Sequence, residues 1–356
     1  MSEFDKYIVQ GEPDKKAKAN AWQTAIGLQD VDGLKPSEYL IKTAVQHIEG
    51  DITIDQVKDM LDTYYETKDV RGHLDDERTE EADKVSARIT EILSEQSFSF
   101  TPDYLIRIHR RLFEGIYKHA GQLRDVNITK KEWVLNGDTV LYSNYDMLRE
   151  TLEYDFEQEK KTDYSVLNAD MAVKQICKFV SGIWQIHPFR EGNTRTTAVF
   201  TMKWLQTFGF SVDNDVFKDN SWYFRNALVR ANYNNIPKRI FATSEYLELF
   251  FRNLLFGEQN KLSNRTLLAG EPQSTTAEVP KSQNGTLDGT LNCNLDELAL
   301  LRFVKENPDA TQIEIAKHIG KSERTVKRMT PALIERGLLE RENGKRNGKW
   351  VVKCEI

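Results

Sequence analysis

Cysteine is scarce in this chain of 356 residues, which contains only Cys177, Cys293 and Cys354. Three widely separated cysteines, an odd number, argue against both a disulfide framework and a zinc site. Long hydrophobic runs are also absent, since no stretch approaches the ~18 apolar residues of a membrane-spanning helix. The first twenty residues have no apolar run after their charges, so they do not resemble a secretory signal. We therefore expect a cytoplasmic protein with no membrane contact.

The chain as a whole has no excess of positive charge, since its formal net charge is −6. The body therefore has no bulk attraction for nucleic acid. Between Ala316 and Lys353, however, there are eleven Lys and Arg residues against four Asp and Glu residues, a local balance of +7. A basic end on an acidic body favours a separate module, although a solvated charged face explains the same charges.

Helical periodicity dominates the sequence and predicts a mainly α fold. Residues 1–19 are polar and are expected to fray. The predicted helical stretches that follow are 20–66 (several short helices), 77–96, 103–119, 145–161, 166–186, 194–208, 217–231 and 243–256. The helical spacing of apolar residues is interrupted around Asn136 and Gly137. The β-forming residues on both sides of this pair predict an inserted β-hairpin over 127–143.

Composition divides the chain into four parts. Residues 257–295 are rich in Ser, Thr, Asn, Gly and Pro without periodicity, which is typical of a linker. We therefore predict an N-terminal helical segment (1–66), a catalytic body (67–256), the linker (257–295) and a C-terminal domain (296–356).

The segment HPFREGNTR, residues 187–195, lies between two apolar helices and concentrates chemically active groups. His187 can act as a base near neutral pH. Glu191 can reach a Mg²⁺ ion, which takes one or two carboxylates together with phosphate oxygens. Gly192 permits an unusual backbone conformation, and Asn193 is a good N-cap for the next helix.

The start of that next helix predicts an anion site, because its free N–H groups and its dipole attract negative charge. Arg195, in the first turn, adds a forked guanidinium suited to phosphate oxygens. Each of these residues alone has a structural explanation. A base, a metal carboxylate, an anion site and a phosphate cation within nine residues favour phosphate chemistry.

HPFREGNTRT resembles the signature of the Fic family, roughly His-x-Phe-x-Asp/Glu-Gly-Asn-Gly/Lys-Arg-x-x-Arg. Upstream, IHRRLFEGIYKHAGQLRDVNI resembles the Fic helix that leads into the target-binding flap, and NALVRAN (226–232) resembles a helix that lines the nucleotide pocket. The likeness covers roughly 65–256. It implies a Fic-type helical core whose inserted hairpin docks a target protein by strand addition, and family members often form homodimers.

The resemblance implies a protein adenylyltransferase that moves AMP from ATP to a Ser, Thr or Tyr hydroxyl of a target protein. His187 would deprotonate the hydroxyl, and Glu191 would hold Mg²⁺ against the phosphates. Phosphate contacts would come from a further set of residues: Gly192, Asn193, Thr194, Arg195 and, at the pocket helix, Arg225 and Asn232. We expect His187→Ala to abolish transfer.

Two positions depart from the family signature. Thr194 replaces the usual Gly or Lys, and its hydroxyl can still bind a phosphate. Ala198 stands where a second arginine contacts the γ-phosphate, which leaves UTP, GTP or CDP-choline open as other donors. A further alternative is a DNA-binding regulator with a vestigial Fic body.

Self-inhibited family members carry an acidic residue in a Ser/Thr-x-x-x-Glu-Gly/Asn element. Two positions resemble it here: Glu49-Gly50 in VQHIEG and Asp32-Gly33 in LQDVDG. Neither has the usual hydroxyl residue, and Ala198 removes the arginine that such an acid normally pairs with. The sequence leaves open which of the two, if either, inhibits.

Residues 296–356 resemble a winged helix-turn-helix, with a turn at Gly320 and Ser322 as the N-cap of the second helix. This resemblance implies binding to DNA or, alternatively, to protein. The cations that would face DNA lie on the second helix and on the wing: Arg324, Lys327, Arg328, Lys345, Arg346 and Lys349.

Overall fold

The structure is a computed structural model of the whole chain. It describes residues 3–10, 12–67, 74–210, 216–270, 292–342 and 348–354. Within these residues the fold is mainly helical, as predicted. No helix in the described part of the chain is long and apolar enough to cross a membrane.

Fourteen α-helices, four 3₁₀ helices and two strands lie in the described residues. The N-terminal helices are α1 (Asp5–Gln10), α2 (Pro13–Gly27), α3 (Glu38–Glu49) and α4 (Ile54–Thr67). The central helices are α5 (Leu74–Ser94), α6 (Pro102–Phe113), α7 (Leu148–Glu159), α8 (Ala169–Ile186), α9 (Asn193–Gln206), α10 (Val216–Ala231) and α11 (Glu245–Phe256). The C-terminal elements are α12 (Leu295–Glu306), α13 (Gln312–His318), α14 (Glu323–Glu335), β1 (Leu339–Glu342) and β2 (Lys349–Val352).

The N-terminal helices share a small core of their own, which includes Phe4, Tyr7, Trp22 and Leu40. Phe4 and Tyr7 are buried and helices α1 and α2 form, so the prediction that residues 1–19 fray is wrong for the described residues 3–10 and 12–19. The aromatic side chains of Phe4 and Tyr7, although surrounded by charged residues in the sequence, pack in this core and hold the short helix α1 against α2. Helix α2 then packs on α5 and α10, which brings the following 3₁₀ helix, Leu28–Asp32, against the start of α9.

Helix α9 is the central element of the body. Every residue from Asn193 to Leu205 is buried, and the helix contacts α5, α6 and α8. Helix α8 supports it with apolar residues at helical spacing, such as Val173, Ile176, Val180 and Ile183. A helix buried on all sides gives its N-terminal loop a rigid base.

The segment 127–143 differs from the expected hairpin. The structure describes all of its residues, and none of them forms a β-strand. A tight turn does form at Asn136 and Gly137, both with positive φ, and the Glu132 N–H donates to the Asp138 carbonyl. A 3₁₀ helix at Trp133–Leu135 replaces the strand before the turn. Two extended stretches without a third strand lack the cross-strand partners that a stable ladder needs.

The C-terminal domain has the predicted winged helix arrangement. Ser322 caps α14 through its side chain, and β1 pairs with β2 in antiparallel register. Lys345 and Arg346, at the wing tip, lie outside the described residues. The domain shares the main hydrophobic core with the body, and Arg302 donates hydrogen bonds to the carbonyls of Leu254 and Leu255 (3.1 and 2.8 Å).

Of the expected linker, residues 257–270 are described and carry a 3₁₀ helix at Asn264–Leu267, whereas 271–291 lie outside the described residues.

Candidate active site

The loop between α8 and α9 is built by two residues with positive φ. His187 ends α8 with φ 50° and ψ 60°, and its N–H donates to the Trp184 carbonyl (3.0 Å). Gly192 then precedes α9 with φ 73°. Between these two reversals, the His187 imidazole and the start of α9 meet at one indole ring, because Trp184 contacts the imidazole edge-on (5.4 Å between ring centroids) and donates to the Thr194 hydroxyl (2.9 Å).

Gly192 lies against an aromatic ring. A Cβ atom on Gly192 would sit 2.3 Å from Phe113 Cε2, and residues with side chains rarely adopt its φ of +73°. The loop therefore needs glycine both for its backbone conformation and for the space that Phe113 occupies.

We expect Gly192→Ala to lower the free energy of unfolding by about 2–4 kcal/mol, from left-handed strain and overpacking together. Gly115→Ala is the matched control. Gly115 has φ +75°, but no heavy atom of the described chain lies within 4 Å of the position that its Cβ atom would take. The control should therefore lose only about 1–2 kcal/mol from strain. Urea unfolding measures both variants, and equal losses would contradict the contact with Phe113.

Asn193 braces the loop instead of capping α9. Its Oδ1 accepts from the Phe189 N–H (3.0 Å), and its Nδ2 donates to the Phe189 carbonyl (2.7 Å). The N-cap is Gly192, so the expectation that Asn193 caps the helix is wrong. Both polar atoms of the Asn193 side chain are hydrogen-bonded to the backbone of Phe189, so only its backbone N–H remains at the start of the helix. No side chain of the described residues caps α9, which leaves the first N–H groups available to an anion.

His187 is buried, with 3% of its surface exposed. Neither ring nitrogen makes a hydrogen bond of full geometry to the described residues, although the backbone of Trp184 is close enough to act against the lowering of its pKa. Burial, together with the positive charges of Lys130, Arg124 and Arg225, holds the pKa of His187 well below its usual value. The imidazole is therefore neutral near pH 7, the form that a general base needs.

Arg195 is buried and surrounded by acidic and polar groups. Its Nε lies 2.8 Å from Asp32 Oδ2, and its Nη2 lies 2.5 Å from Glu81 Oε1. It also donates to Gln29 Oε1 (3.0 Å) and to the Tyr117 hydroxyl (3.1 Å). Burial alone would lower the pKa of Arg195, but the neighbouring carboxylates raise it, so the guanidinium stays charged. A phosphate that binds Arg195 must replace at least one carboxylate.

The two acidic candidates for inhibition are separated by the structure. Asp32 reaches Arg195 from the 3₁₀ helix after α2, and Arg78 donates to the Asp32 carbonyl (2.9 Å) and holds this turn. Glu49 instead contacts Lys15 (2.7 Å) and Tyr7 at the surface of the N-terminal helices. The structure therefore places Asp32, and not Glu49, at the arginine.

Glu191 is the acidic group on the solvent side of the loop. Its side chain is 57% exposed and lies 3.1 Å from Lys130 Nζ in the 127–143 segment. No group of three or more His, Cys, Asp and Glu side chains that could hold a metal ion occurs in the described residues. A Mg²⁺ ion held mainly by phosphates needs only one or two protein carboxylates. Glu191 fits that limited requirement.

The two departures from the signature have different surroundings. The Thr194 hydroxyl accepts from the Trp184 indole (2.9 Å), which leaves its own hydrogen free to donate. Ala198 is fully buried one turn after Arg195. The site therefore has one arginine in the first turn of α9 and a buried alanine where the signature has a second arginine.

The two residues expected at the pocket helix are engaged elsewhere. Arg225 Nη1 lies 2.7 Å from Glu132 Oε2, in the 127–143 segment. Asn232 donates to the carbonyls of Ser181 and Leu228, both at 3.0 Å. In this structure these side chains join elements of the body, and Arg225 holds residues 127–143, called the flap segment below.

Two residues that shape the loop did not emerge from the sequence. Arg124 donates to the carbonyls of His187 (2.8 Å) and Val126 (2.7 Å), so it ties the loop to the start of the flap segment. His109 accepts from the Gly121 N–H at Nδ1 (2.8 Å), so Nε2 carries the proton and donates to the Glu191 carbonyl (3.1 Å). Burial lowers the pKa of His109 to about 3. A polar residue on the apolar face of α6, one turn from both Leu105 and Phe113, was a signal that could have identified His109.

The geometry brings together a neutral imidazole, an uncapped helix start, a buried guanidinium and an accessible carboxylate. Such a set can accept a proton and can stabilise phosphate charge. In the present conformation both charged groups are neutralised internally, Arg195 by Asp32 and Glu81, and Glu191 by Lys130.

Comparison with known proteins gives matches to two kinds of domain. Residues 99–205 match the model of the Fic/DOC family, and residues 297–340 match that of a winged helix-turn-helix DNA-binding domain. Over 120 residues the chain is 27% identical to protein adenylyltransferase VbhT from Bartonella schoenbuchensis. That match covers 33% of this chain and 24% of the relative, so it spans about a quarter of the relative's length. The chain also aligns with a crystal structure of a Fic family protein from Desulfovibrio desulfuricans G20. The alignment covers 98% of this chain and 92% of that protein's chain, with 12% identity and a TM-score of 0.43.

Proposed function

Because the chain carries a Fic/DOC domain and a winged helix-turn-helix domain, we propose that it is a cytoplasmic protein adenylyltransferase. It would transfer AMP from ATP to a Ser, Thr or Tyr hydroxyl of a target protein docked on residues 127–143. The observation that carries this proposal is the neutral, unpartnered imidazole of His187 beside the uncapped start of α9, both within the described residues. The adenylyltransferase name of the partial relative supports the choice of nucleotide transfer.

In the proposed reaction, His187 accepts the proton of the target hydroxyl. The hydroxyl oxygen then forms a bond to the α-phosphorus of ATP, and pyrophosphate leaves with the electron pair of the broken P–O bond. The N–H groups at the start of α9, Thr194 and Arg195 would bind phosphate oxygens. Mg²⁺ held at Glu191 would offset phosphate charge. Catalysis of this kind rests on positioning and charge stabilisation.

A second candidate keeps the site and changes the donor. Ala198, a buried alanine where the signature has a second arginine, removes a cation from the expected γ-phosphate side, so UTP, GTP or CDP-choline remain alternatives. Incubation of the full chain with Mg²⁺, cell lysate and each α-labelled nucleotide in turn separates the candidates, with labelled CDP-choline as the fourth donor. We expect protein-bound label from ATP. Label from another donor alone would replace ATP, and label from none would favour a DNA-binding regulator.

The winged helix supports DNA binding as a further activity. Arg324, Lys327 and Arg328 are exposed on α14, although Lys327 also lies 2.6 Å from Glu323, and Lys349 is exposed on β2. Cations on one exposed helix supply phosphate contacts, whose strength falls with salt.

We expect the full chain to shift duplex DNA at low salt. Replacing Arg324, Lys327 and Arg328 together by alanine should weaken binding by about tenfold or more and flatten its salt dependence. Lys42→Ala, at an exposed position of α3, is the control and should bind as the parent does. No shift at low salt, or an equal loss in the control, would contradict a DNA-binding role for α14.

A further inference from the structure

Glu132 is a buried carboxylate in a segment that is expected to meet a target protein. Its side chain has no exposed surface. A carboxylate in such a place is costly unless it is paired and hydrogen-bonded. Glu132 has both kinds of partner, since Oε2 lies 2.7 Å from Arg225 Nη1 and Oε1 accepts from the Tyr142 hydroxyl (3.2 Å). The flap segment is therefore anchored to α10 through one charged side chain.

Tyr142, the other partner of Glu132, lies directly against the proposed base. Its ring centroid is 4.2 Å from that of His187, with the planes inclined by 37°. Trp184 contacts the imidazole edge-on from another side, at 5.4 Å and 87°. The imidazole is thus packed against two aromatic rings, which also contact each other (6.0 Å between centroids), and Tyr142 itself is 9% exposed.

The way in which His187 is held is unusual for a base. A catalytic imidazole is commonly oriented by a hydrogen bond to its second nitrogen. Here neither His187 nitrogen makes a hydrogen bond of full geometry to a described residue, and the backbone of Trp184 is only close enough to raise its pKa slightly against the larger effect of burial. Packing against neighbouring rings therefore contributes to the restriction of its rotation. Trp184 belongs to α8 and is fixed by its bond to Thr194. Tyr142 belongs to the flap segment, and Glu132 is the residue that fixes its hydroxyl.

We propose that Tyr142 is a positioning residue for His187, held against the imidazole by Glu132, whose charge is neutralised by Arg225. The inference rests on the proposed function in that His187 is the base. It gives Arg225 a role in the flap, distinct from the phosphate contact implied by the resemblance. It also couples the conformation of the target-docking segment to the orientation of the base.

The charged groups around the imidazole affect the pKa of His187, which can be measured by titration. Lys130 in the flap segment, Arg124 before it and Arg225 on α10 are the cations that face His187, and Glu132 lies beyond Tyr142. Burial is the largest cause of the lowered pKa of His187. Loss of the Tyr142 ring would admit water, so the pKa of His187 should rise toward its ordinary value.

The test uses the full chain labelled with ¹³C at histidine, with the His187 resonance assigned from the His187→Ala variant. We expect Tyr142→Leu to raise the titration midpoint of His187 and to lower kcat for AMP transfer by about 10–100-fold. KM for ATP should stay within about twofold, because Tyr142 is placed at the base and not at the phosphates. Tyr142→Phe keeps the ring and loses the bond to Glu132, so its kcat should fall by about threefold to tenfold. Tyr154→Leu, at a 64% exposed tyrosine of α7, is the control.

An unchanged His187 titration together with an unchanged kcat in Tyr142→Leu would overturn the proposal. If Tyr142→Leu does not fold, the test depends on Tyr142→Phe. A wild-type kcat in Tyr142→Phe would show that the hydrogen bond to Glu132 does not position the base. Failure of the proposed function has a different signature, because the wild-type chain would then transfer no label from any nucleotide. The titration of His187 would still report whether Tyr142 controls its surroundings.

Discussion

His187→Ala is expected to lower AMP transfer by about 10²–10⁴-fold, the usual contribution of a positioned general base. The fold should survive, because the imidazole makes no side-chain hydrogen bond to the described residues that the substitution could break. The backbone bond from His187 to Trp184 remains in the variant. Transfer is measured as the initial rate of label incorporation from α-labelled ATP, and folding as the thermal unfolding midpoint.

His318→Ala is the matched control for this prediction. His318 lies on α13 in the winged helix, where its ring stacks on Phe303 at 4.1 Å, away from the loop. We expect the control to retain the parental rate. A His187→Ala variant that folds and transfers AMP at the parental rate would remove the imidazole from the mechanism.

The pH dependence of transfer follows from the same residue. A general base acts in its neutral form, so the rate falls when pH drops through the pKa of His187. Because that pKa lies well below the ordinary histidine value of 6.5, the rate should stay on its plateau below pH 6.5. An acid limb at or above pH 6.5 would contradict the buried environment of His187.

Asp32→Ala is expected to raise transfer by about tenfold or more and to lower KM for ATP, a typical size for coupling between a regulatory contact and a ligand. In the structure Asp32 competes directly for the guanidinium that would bind phosphate, with 2.8 Å between Asp32 Oδ2 and Arg195 Nε. Its removal leaves Glu81 as the remaining carboxylate on Arg195 among the described residues. The same change should lower the unfolding midpoint, because a buried cation loses one of its counter-charges.

Glu49→Ala separates this effect from general loosening of the N-terminal helices. Glu49 belongs to the other acidic-Gly pair, but its side chain contacts Lys15 and Tyr7 at the surface of the N-terminal helices instead of Arg195. We expect Glu49→Ala to leave both rate and KM near the parental values. Equal stimulation by both substitutions, or none by Asp32→Ala, would mean that the Asp32–Arg195 pair does not restrain the site.

Much of the fold could be predicted because it depends on local patterns. The periodicity of α8 and α9, the N-cap at Ser322 and the Asn136–Gly137 turn are all set by neighbouring residues, and each appears in the structure. The buried face of α1 escaped prediction because only Phe4 and Tyr7 carry it. The missing ladder in 127–143, whose residues are all described, shows that a turn signal fixes the reversal but not the strands beside it.

The chemical groups of the loop could also be identified from the sequence, but their partners could not. Asp32, Glu81 and Arg195 are far apart along the chain, and no periodic signal distinguishes these acids from the other charged residues of their helices. Glu132 follows two lysines in a polar turn, and composition alone would place it in solvent. Its burial depends on Arg225 and Tyr142, which come into contact with it only when α10 packs beside the flap segment.

The most direct measurement is a crystal structure of the Asp32→Ala chain grown with Mg²⁺ and a non-hydrolysable ATP analogue. We expect phosphate density at the start of α9, within hydrogen-bond distance of Arg195, with the His187 imidazole facing the α-phosphorus and the metal beside Glu191. A loop without nucleotide at saturating concentration, or nucleotide bound elsewhere with Arg195 still held by Glu81, would contradict phosphate binding at residues 187–195.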